Sequence, residues 1–258
     1  MRERVTVIEH EAEAGLGFFA GWLRDAGVDC EVVRPYKGDP VPETADRGLV
    51  VLGGEASAWD DEGYGWLPAT RALLARSVED GVPTLGICLG AQLMTIACGG
   101  TVERGDAGLE IGLCDVVALP EAGDDPLFSA LPARPLRAVQ YHYDAMTALP
   151  PGAVRLATGG QYPNQAYRLG ASAWAVQFHP EATAGVFESW TSGGGLPDSQ
   201  VGELNAQVGQ GEEELRATWR PLAEAFAAQI FQRSATEARA VTAAGAVTDA
   251  RADAAPSL

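Results

Sequence analysis

A cysteine flanked by glycines lies at residues 86–92 (GICLGAQ), directly after the apolar run 83–85. Small residues on both sides of Cys88 allow a sharp turn from a strand into a helix, which exposes the side chain at the carboxyl end of the strand. A helix that begins near Gly90 would direct its positive amino-terminal end at the sulfur and favour the thiolate, the form that attacks carbonyl carbon. A buried structural cysteine would fit the turn alone equally well, so other residues must decide.

A second motif that could do chemistry lies at residues 173–181 (AWAVQFHPE). It is a short apolar strand that ends in a histidine, a proline and a glutamate. A thiol nucleophile needs a base within hydrogen-bond reach, and the base needs a group that orients it. His179 and Glu181 supply these two functions, and Pro180 stiffens the turn between them. Together with Cys88 they predict a Cys-His-Glu triad.

The two motifs together resemble the class I, triad-type glutamine amidotransferases, in particular the stand-alone group with GMP-synthase-like domains. Further matching segments are 52–54 (LGG), 110–112 (EIG) and 141–144 (YHYD), and the match runs from about Val5 to about Trp190. The motifs are specific to this superfamily, although they do not specify the substrate.

The resemblance implies a function for each motif residue. Cys88 would be the nucleophile, His179 the general base and acid, and Glu181 the residue that orients the histidine. The backbone amides of Leu89 and Gly54 would donate to the oxyanion. The thiolate would attack the side-chain amide of glutamine, and a thioester would then be hydrolysed to glutamate.

The binding residues are also implied by the resemblance. Gln92 and the backbone around His142 and Tyr143 would hold the amino-acid end of glutamine. One position departs from the family, which commonly has proline after the glycine pair, whereas this chain has Glu55. This difference alters the shape and charge of the pocket mouth but leaves the backbone donor of Gly54 in place. A further histidine, His10, lies just past the first strand and is interpreted as an ordinary loop residue.

Composition excludes several classes of function. The 258 residues carry a formal net charge of −17, which argues against nucleic-acid binding because that needs a basic surface. The four cysteines form no Cys-x-x-Cys pair, so no metal is expected, and no phosphate-binding glycine loop is present, so no cofactor is expected. A reduced thiol suits the cytoplasm, and no apolar run is long enough to cross a membrane.

The pattern along the chain predicts an α/β fold with a mostly parallel open sheet flanked by helices, of the flavodoxin-like type found in class I glutamine amidotransferases. The predicted parallel strands are 5–8, 30–34, 48–52 and 84–87, and the predicted helices are 17–26 and 67–78. The middle section, 102–176, predicts mixed or antiparallel strands at 112–118, 137–141, 154–157 and 173–177. Gly54, Cys88 and His179 all follow predicted strand ends, where ligands bind in such sheets.

The chain divides into an amidotransferase domain, 1–233, and a tail, 234–258. The catalytic motifs fall within 5–190, a loop is predicted over 191–200, and apolar residues at helical spacing predict a long helix over about 201–233. The tail has few large apolar residues and is predicted to be frayed or disordered.

Three functions remain open from the sequence. The first is a glutaminase that passes ammonia to an acceptor on a separate synthase chain, since the remaining length cannot hold an ATP-dependent synthase domain. The second is a stand-alone hydrolase of γ-glutamyl amides, in which Glu55 and the acidic run 60–62 attract a cationic amine. The third is a non-catalytic regulatory module, which the intact triad disfavours.

Overall fold

The computed structural model describes residues 2–193 and 195–252, the segment 237–252 as backbone only. Its main sheet has nine strands in the order β2-β1-β3-β4-β11-β10-β9-β6-β7. The first five strands in this order are parallel: β2 (Val28–Val33), β1 (Glu3–Ile8), β3 (Leu49–Val51), β4 (Thr84–Ile87) and β11 (Ala173–Val176). The order 2-1-3-4 followed by a fifth parallel strand is that of the doubly wound, flavodoxin-like sheet.

The other half of the sheet is antiparallel. It consists of β10 (Ala166–Leu169), β9 (Val154–Gly159), β6 (Glu110–Ala118) and β7 (Leu136–His142). A separate two-stranded antiparallel sheet pairs β5 (Thr101–Arg104) with β8 (Asp144–Ala148). The prediction of a parallel sheet with antiparallel strands in the middle section of the chain is therefore confirmed.

Helices cover both faces of the sheet, and each face has its own core. On one face lie α1 (Gly17–Asp25), α4 (Ala184–Thr191) and α5 (Asp198–Ala252), with Phe19, Trp219 and Phe226 fully buried. On the other face lie α2 (Leu67–Glu79) and α3 (Leu89–Ala97), which bury Leu74 and Met94 against the sheet. Burial of apolar area on both faces is the main stabilising term of such a layered fold.

Several elements differ from their predictions in extent or were not predicted. The predicted loop 191–200 is shorter, because α4 extends to Thr191 and α5 begins at Asp198. Strands β5, β8 and β10 were not predicted; each is only four or five residues long and lacks a clear apolar alternation.

Helix α5 continues past residue 233, where the prediction placed its end. The backbone is helical to Ala252, because alanine is the strongest helix former and dominates this stretch. The frayed or disordered tail over 234–258 stays a prediction. Its last residues, 253–258, lie outside the described residues, and the domain division stays a prediction.

Within the described helices, no segment is both long and apolar enough to span a lipid bilayer.

Candidate active site

Cys88 lies in a strained turn between β4 and α3. Its backbone has φ 49° and ψ −106°, and it is the one non-glycine residue with a positive φ among those described. The neighbouring glycines make this turn possible. A Cβ on Gly90 would lie 2.0 Å from the Val51 carbonyl oxygen, and one on Gly86 would lie 2.7 Å from the carbonyl oxygen of Gly90. A strained backbone held in place by such close packing is typical of a functional residue.

His179 and Glu181 follow β11, the strand next to β4. The His179 backbone N–H donates to the Val139 carbonyl at 2.8 Å, which fixes the strand end, and His179 Nδ1 lies 2.8 Å from Glu181 Oε1. Both side chains are buried. The His179 ring lies close to Cys88, because a Cβ on Gly53 would lie 2.7 Å from His179 Cε1 and 3.6 Å from Cys88 Cβ, and both residues line one cavity. The structure thus brings the predicted residues Cys88, His179 and Glu181 together at the ends of two neighbouring strands.

The environment of His179 favours its charged form. Burial opposes a charge on the ring, but the Glu181 carboxylate and the Cys88 sulfur outweigh it and raise the pKa of His179 to about 10. A cationic imidazole next to the sulfur stabilises negative charge there, which is the state that a thiol nucleophile needs. The electrostatics therefore favour a charged imidazole at His179 beside Cys88.

The loop after β3 approaches the triad closely. A Cβ on Gly53 would lie 2.7 Å from His179 Cε1, and one on Gly54 would lie 2.9 Å from His10 Cβ and 3.1 Å from Leu89 Cδ2. Gly54 lines the same cavity as Cys88, and Leu89 begins α3. Gly54 therefore lies in the wall of the cavity that contains Cys88, and Leu89 follows Cys88 in the chain, while their function as oxyanion donors stays a prediction.

A cavity of about 460 Å³ opens at Cys88, a volume typical of small-molecule sites. Of the residues predicted from sequence, Gly54, Cys88, Gln92, His142, Tyr143 and His179 line it. Glu181 does not line it and lies behind His179. The structure therefore brings together all of the predicted site residues, either in the cavity wall or in direct support of it.

A buried polar network supports the part of the cavity wall that Gln92 and residues 142–144 form. Gln92 Nε2 donates to the Asp144 carbonyl at 2.9 Å, and His142 Nδ1 contacts the same carbonyl at 2.9 Å. His142 Nε2 lies 3.0 Å from Glu110 Oε2, which also accepts from Gln165 Nε2 at 2.9 Å. Because its contacts fix both ring nitrogens, His142 positions the 142–144 backbone, as expected for a binding loop.

Sequence reasoning missed several residues of the site. Gln177 donates from Nε2 to Cys88 Sγ at 3.7 Å, and the Trp190 ring packs against His179 at a tilt of 51°, with ring centroids 4.5 Å apart. Glu11, Glu13 and Arg104 line the cavity. Gln177 lies within the histidine motif and could have been noted. Glu11 and Glu13 lie in a loop, Arg104 on the short strand β5 and Trp190 in α4, and none of these positions belongs to a motif.

His10 is not the ordinary loop residue that its position predicted. It is buried next to Gly54, and Trp66 Nε1 donates to its Nδ1 at 3.0 Å. Burial lowers the pKa of His10 to about 4, so the ring is neutral at pH 7. His10 packs against Gly54, where it supports the glycine loop, and it is not one of the described residues that line the cavity.

In the part of the chain that the structure describes, no group of three or more His, Cys, Asp or Glu side chains is arranged to hold a metal ion.

Comparison with known proteins identifies the family. Residues 20–190 match the family described as glutamine amidotransferase class-I, so the chain belongs to that family and is an enzyme of the glutamine amidotransferase type. The resemblance drawn from the motifs is confirmed.

Two solved structures are similar over most of the chain. A glutamine amidotransferase from Thermotoga maritima is 27% identical with a TM-score of 0.77, covering 88% of this chain and 99% of its own. A glutamine amidotransferase from Methylobacillus flagellatus is 28% identical with a TM-score of 0.75, covering 90% and 95%. Both confirm the fold class.

One curated relative is a glutamine-hydrolysing GMP synthase, and another is a subunit of such a synthase. A subunit of the glutamine-hydrolysing GMP synthase of Natronomonas pharaonis is 37% identical over 160 residues, 62% of this chain and 78% of the relative. The glutamine-hydrolysing GMP synthase of Thermomicrobium roseum is 34% identical over 168 residues, 62% of this chain and 28% of the relative. The chain therefore spans about a quarter of the length of the latter and most of the length of the former.

Proposed function

We propose that this chain hydrolyses the side-chain amide of glutamine and passes the ammonia to an acceptor on a separate synthase chain. The observation that carries the proposal is the cavity in which Cys88 and His179 lie together, with Glu181 Oε1 2.8 Å from His179 Nδ1. The relative from N. pharaonis, whose name makes it one subunit of a glutamine-hydrolysing synthase, supports a partner on another chain.

The reaction follows from the positions of these groups. Cys88 Sγ attacks the γ-carbonyl carbon, and the amides of Gly54 and Leu89 stabilise the oxyanion, where loss of one donor typically costs about a hundredfold or more in rate. His179 donates its proton to the departing ammonia, which leaves a γ-glutamyl thioester on Cys88. His179 then removes a proton from water, and the attack of this water on the thioester releases glutamate and restores the thiol.

A second candidate function is hydrolysis of γ-glutamyl amides of a cationic amine. Glu11, Glu13 and Glu55 all line the cavity. Burial, and then the charges of Glu55 and Glu13, raise the pKa of Glu11. The backbone N–H of Glu55, which donates to Glu11, opposes this rise. The charge of His179 also acts on Glu11, so this acidic wall lies near the group that protonates the leaving amine. An amine cation would be attracted there.

The acidic run 60–62, which the sequence suggested as a second attraction for an amine, lies elsewhere. Asp61 pairs with Arg71 at 2.6 Å, and Asp60 Oδ1 accepts from the Gly63 amide within its own turn. In the described chain these residues do not line the cavity. The proposal for a cationic leaving group therefore depends on Glu11, Glu13 and Glu55.

Release of glutamate by the purified chain tests both functions. Free glutamine is compared with a panel of γ-glutamyl amines, with Cys88→Ala as the inactive control. Cleavage of glutamine that depends on Cys88 and rises when the synthase partner is added supports the first function. Fast cleavage of one cationic γ-glutamyl amide with little cleavage of glutamine supports the second function. Glu55→Gln must then reduce the preference for the cationic substrate. Glu62→Gln, a change outside the cavity, must leave this preference unchanged. No Cys88-dependent cleavage of any substrate, with or without the partner, would refute both.

A further inference from the structure

The His179 ring is partly covered by an indole to which the proposed reaction assigns no function. The centroids of the Trp190 and His179 rings lie 4.5 Å apart, with the ring planes tilted by 51°. Trp190 is partly exposed and lines the cavity, whereas His179 is buried. Because the indole packs on the buried imidazole, it forms part of the layer that separates this ring from water in the cavity.

The indole is itself held in one position. Trp190 Nε1 donates to the Glu13 carbonyl at 3.0 Å, and this bond fixes one edge of the ring. The ring centroids of Phe187 and Tyr141 lie 6.2 Å and 6.4 Å from that of Trp190, so the indole belongs to an aromatic cluster. Aromatic pairs at such separations attract each other beyond the burial of their area. The indole is therefore a rigid support for the ring that it covers.

The same stretch of chain fixes Glu181, the residue that contacts the other side group of the histidine. Glu13 and Phe18 belong to the segment that leads from the loop after β1 into α1. The Phe18 backbone N–H donates to the Glu181 carbonyl at 2.8 Å, while the Glu13 carbonyl accepts from Trp190. One segment thus positions both of the residues that contact the His179 ring.

The contact with Glu181 alone does not fix the orientation of the imidazole. Glu181 Oε1 lies 2.8 Å from Nδ1 of His179, which holds the ring at one atom and permits it to tilt about that atom. A neighbouring ring at 4.5 Å between centroids restricts this tilt by van der Waals contact. The orientation of His179 therefore depends on Trp190 as well as on Glu181.

The indole also acts on the charge of the ring. Burial lowers the pKa of His179, but the Glu181 carboxylate and the Cys88 sulfur outweigh it and raise the pKa to about 10. The imidazole is therefore cationic at neutral pH. The π-system of an indole attracts a cation that lies within about 6 Å of its centroid, and this attraction offsets part of the hydration that the buried ring has lost.

We infer that Trp190 is a positioning residue for His179, whose indole holds the imidazole in its orientation and stabilises the imidazolium form. The inference rests on the proposed function, because it takes His179 as the group that protonates the departing ammonia. Trp190 acts through His179 and takes no proton or bond in the reaction.

The titration of His179 tests this function without turnover. The chain has three histidines, so NMR of the protein labelled with nitrogen-15 histidine resolves each ring, and His179→Gln assigns the signals of His179. Trp190→Leu keeps an apolar cover but removes the aromatic ring, and it is expected to lower the pKa of His179 by about 0.5–1. Trp190→Phe keeps an aromatic ring without the indole N–H, and it is expected to restore at least about half of this loss.

The rate of glutamate release gives a second readout. Trp190→Leu is expected to lower kcat by roughly tenfold because the imidazole is no longer held in place, and Trp190→Phe is expected to restore part of the rate. Trp59→Leu is the matched control, because Trp59 is 56% exposed and lies outside the cavity. This change must leave both the kcat and the pKa of His179 as they are in the unchanged protein.

The outcomes separate this inference from the proposed function. An unchanged pKa of His179 in Trp190→Leu, or an equal fall in the leucine and phenylalanine variants, would overturn the inference and leave the proposed function standing. If Trp190→Leu does not fold, Trp190→Met supplies the same comparison with another long side chain that lacks a ring. Absence of Cys88-dependent cleavage by the unchanged protein, with or without the partner, would instead refute the proposed function and with it the function of Trp190.

Discussion

The closeness of Gly53 to His179, the proposed catalytic histidine, allows a test with a single methyl group. A Cβ at this position would lie 2.7 Å from His179 Cε1, which falls 0.7 Å short of an ordinary contact at 3.4 Å. The imidazole cannot simply rotate away, because Glu181 holds Nδ1 at 2.8 Å and the Trp190 ring packs on it at 4.5 Å between centroids. In Gly53→Ala the ring must therefore shift by several tenths of an ångström relative to Cys88.

A misplacement of about 1 Å in a catalytic group typically costs about a hundredfold in rate, so Gly53→Ala is expected to lower kcat by roughly ten- to a hundredfold. The measurement is the initial rate of glutamate release, with circular dichroism and thermal unfolding to confirm that the fold is intact. Gly21→Ala is the matched control. Gly21 lies within α1 and a Cβ there meets nothing within 4 Å, so this change is expected to stabilise the helix by about 0.5–1 kcal/mol and to leave the rate unchanged. Full activity in a folded Gly53→Ala protein would refute the reasoning.

Three further changes test other parts of the structure. Glu181→Gln removes a charge that raises the pKa of His179, so the alkaline limit of kcat/KM is expected to move to lower pH; an unmoved limit would show that Glu181 does not act on the ring. Trp219→Ala opens a cavity next to Phe178, whose ring centroid lies 4.7 Å from that of Trp219. This change is expected to lower the free energy of unfolding, measured by urea titration, by about 3–5 kcal/mol. A loss below about 1 kcal/mol would contradict the packing. The pKa of His10 is about 4 in the folded protein and 6.5 in the unfolded chain, so the unfolded chain binds more protons between these pH values. The free energy of unfolding is therefore expected to fall by up to about 3 kcal/mol as the pH drops from 6.5 to 4. His10→Gln must flatten this pH dependence.

Sequence reasoning could name the three residues of the predicted triad because each motif is local and ends a strand. Short apolar strands delivered Cys88 and His179 to the same edge of the sheet, and neighbouring residues determined the turns. The parallel strands were placed within one or two residues of their bounds, and Thr84–Ile87 was placed without error. Buried parallel strands read as continuous apolar runs, which explains this success.

The remaining contacts depend on which strands become neighbours, and no local pattern encodes that. Gln177 reaches Cys88 across 89 residues, and His142 reaches Glu110 across 32, because β11 pairs with β4 and β7 with β6. For the same reason, the sequence analysis named residues 60–62 as part of the acidic surface that attracts an amine, although they do not line the cavity in the described chain. They are close to Glu55 in the sequence but lie in a turn outside the cavity. Glu11 lines the cavity instead, because the loop after β1 places it next to Glu55.

The most direct test of the triad is the site of modification by a glutamine-like diazoketone, read by mass spectrometry of the digested protein at neutral pH. The structure predicts one label, on Cys88, which is lost in Cys88→Ala and slowed in His179→Ala. The other three cysteines form an internal control, because burial raises the pKa of Cys30, Cys98 and Cys114 to about 11 and keeps them as unreactive thiols. Labelling of one of those cysteines instead, or glutamate release from glutamine that persists in Cys88→Ala, would contradict the assignment of Cys88 as the nucleophile.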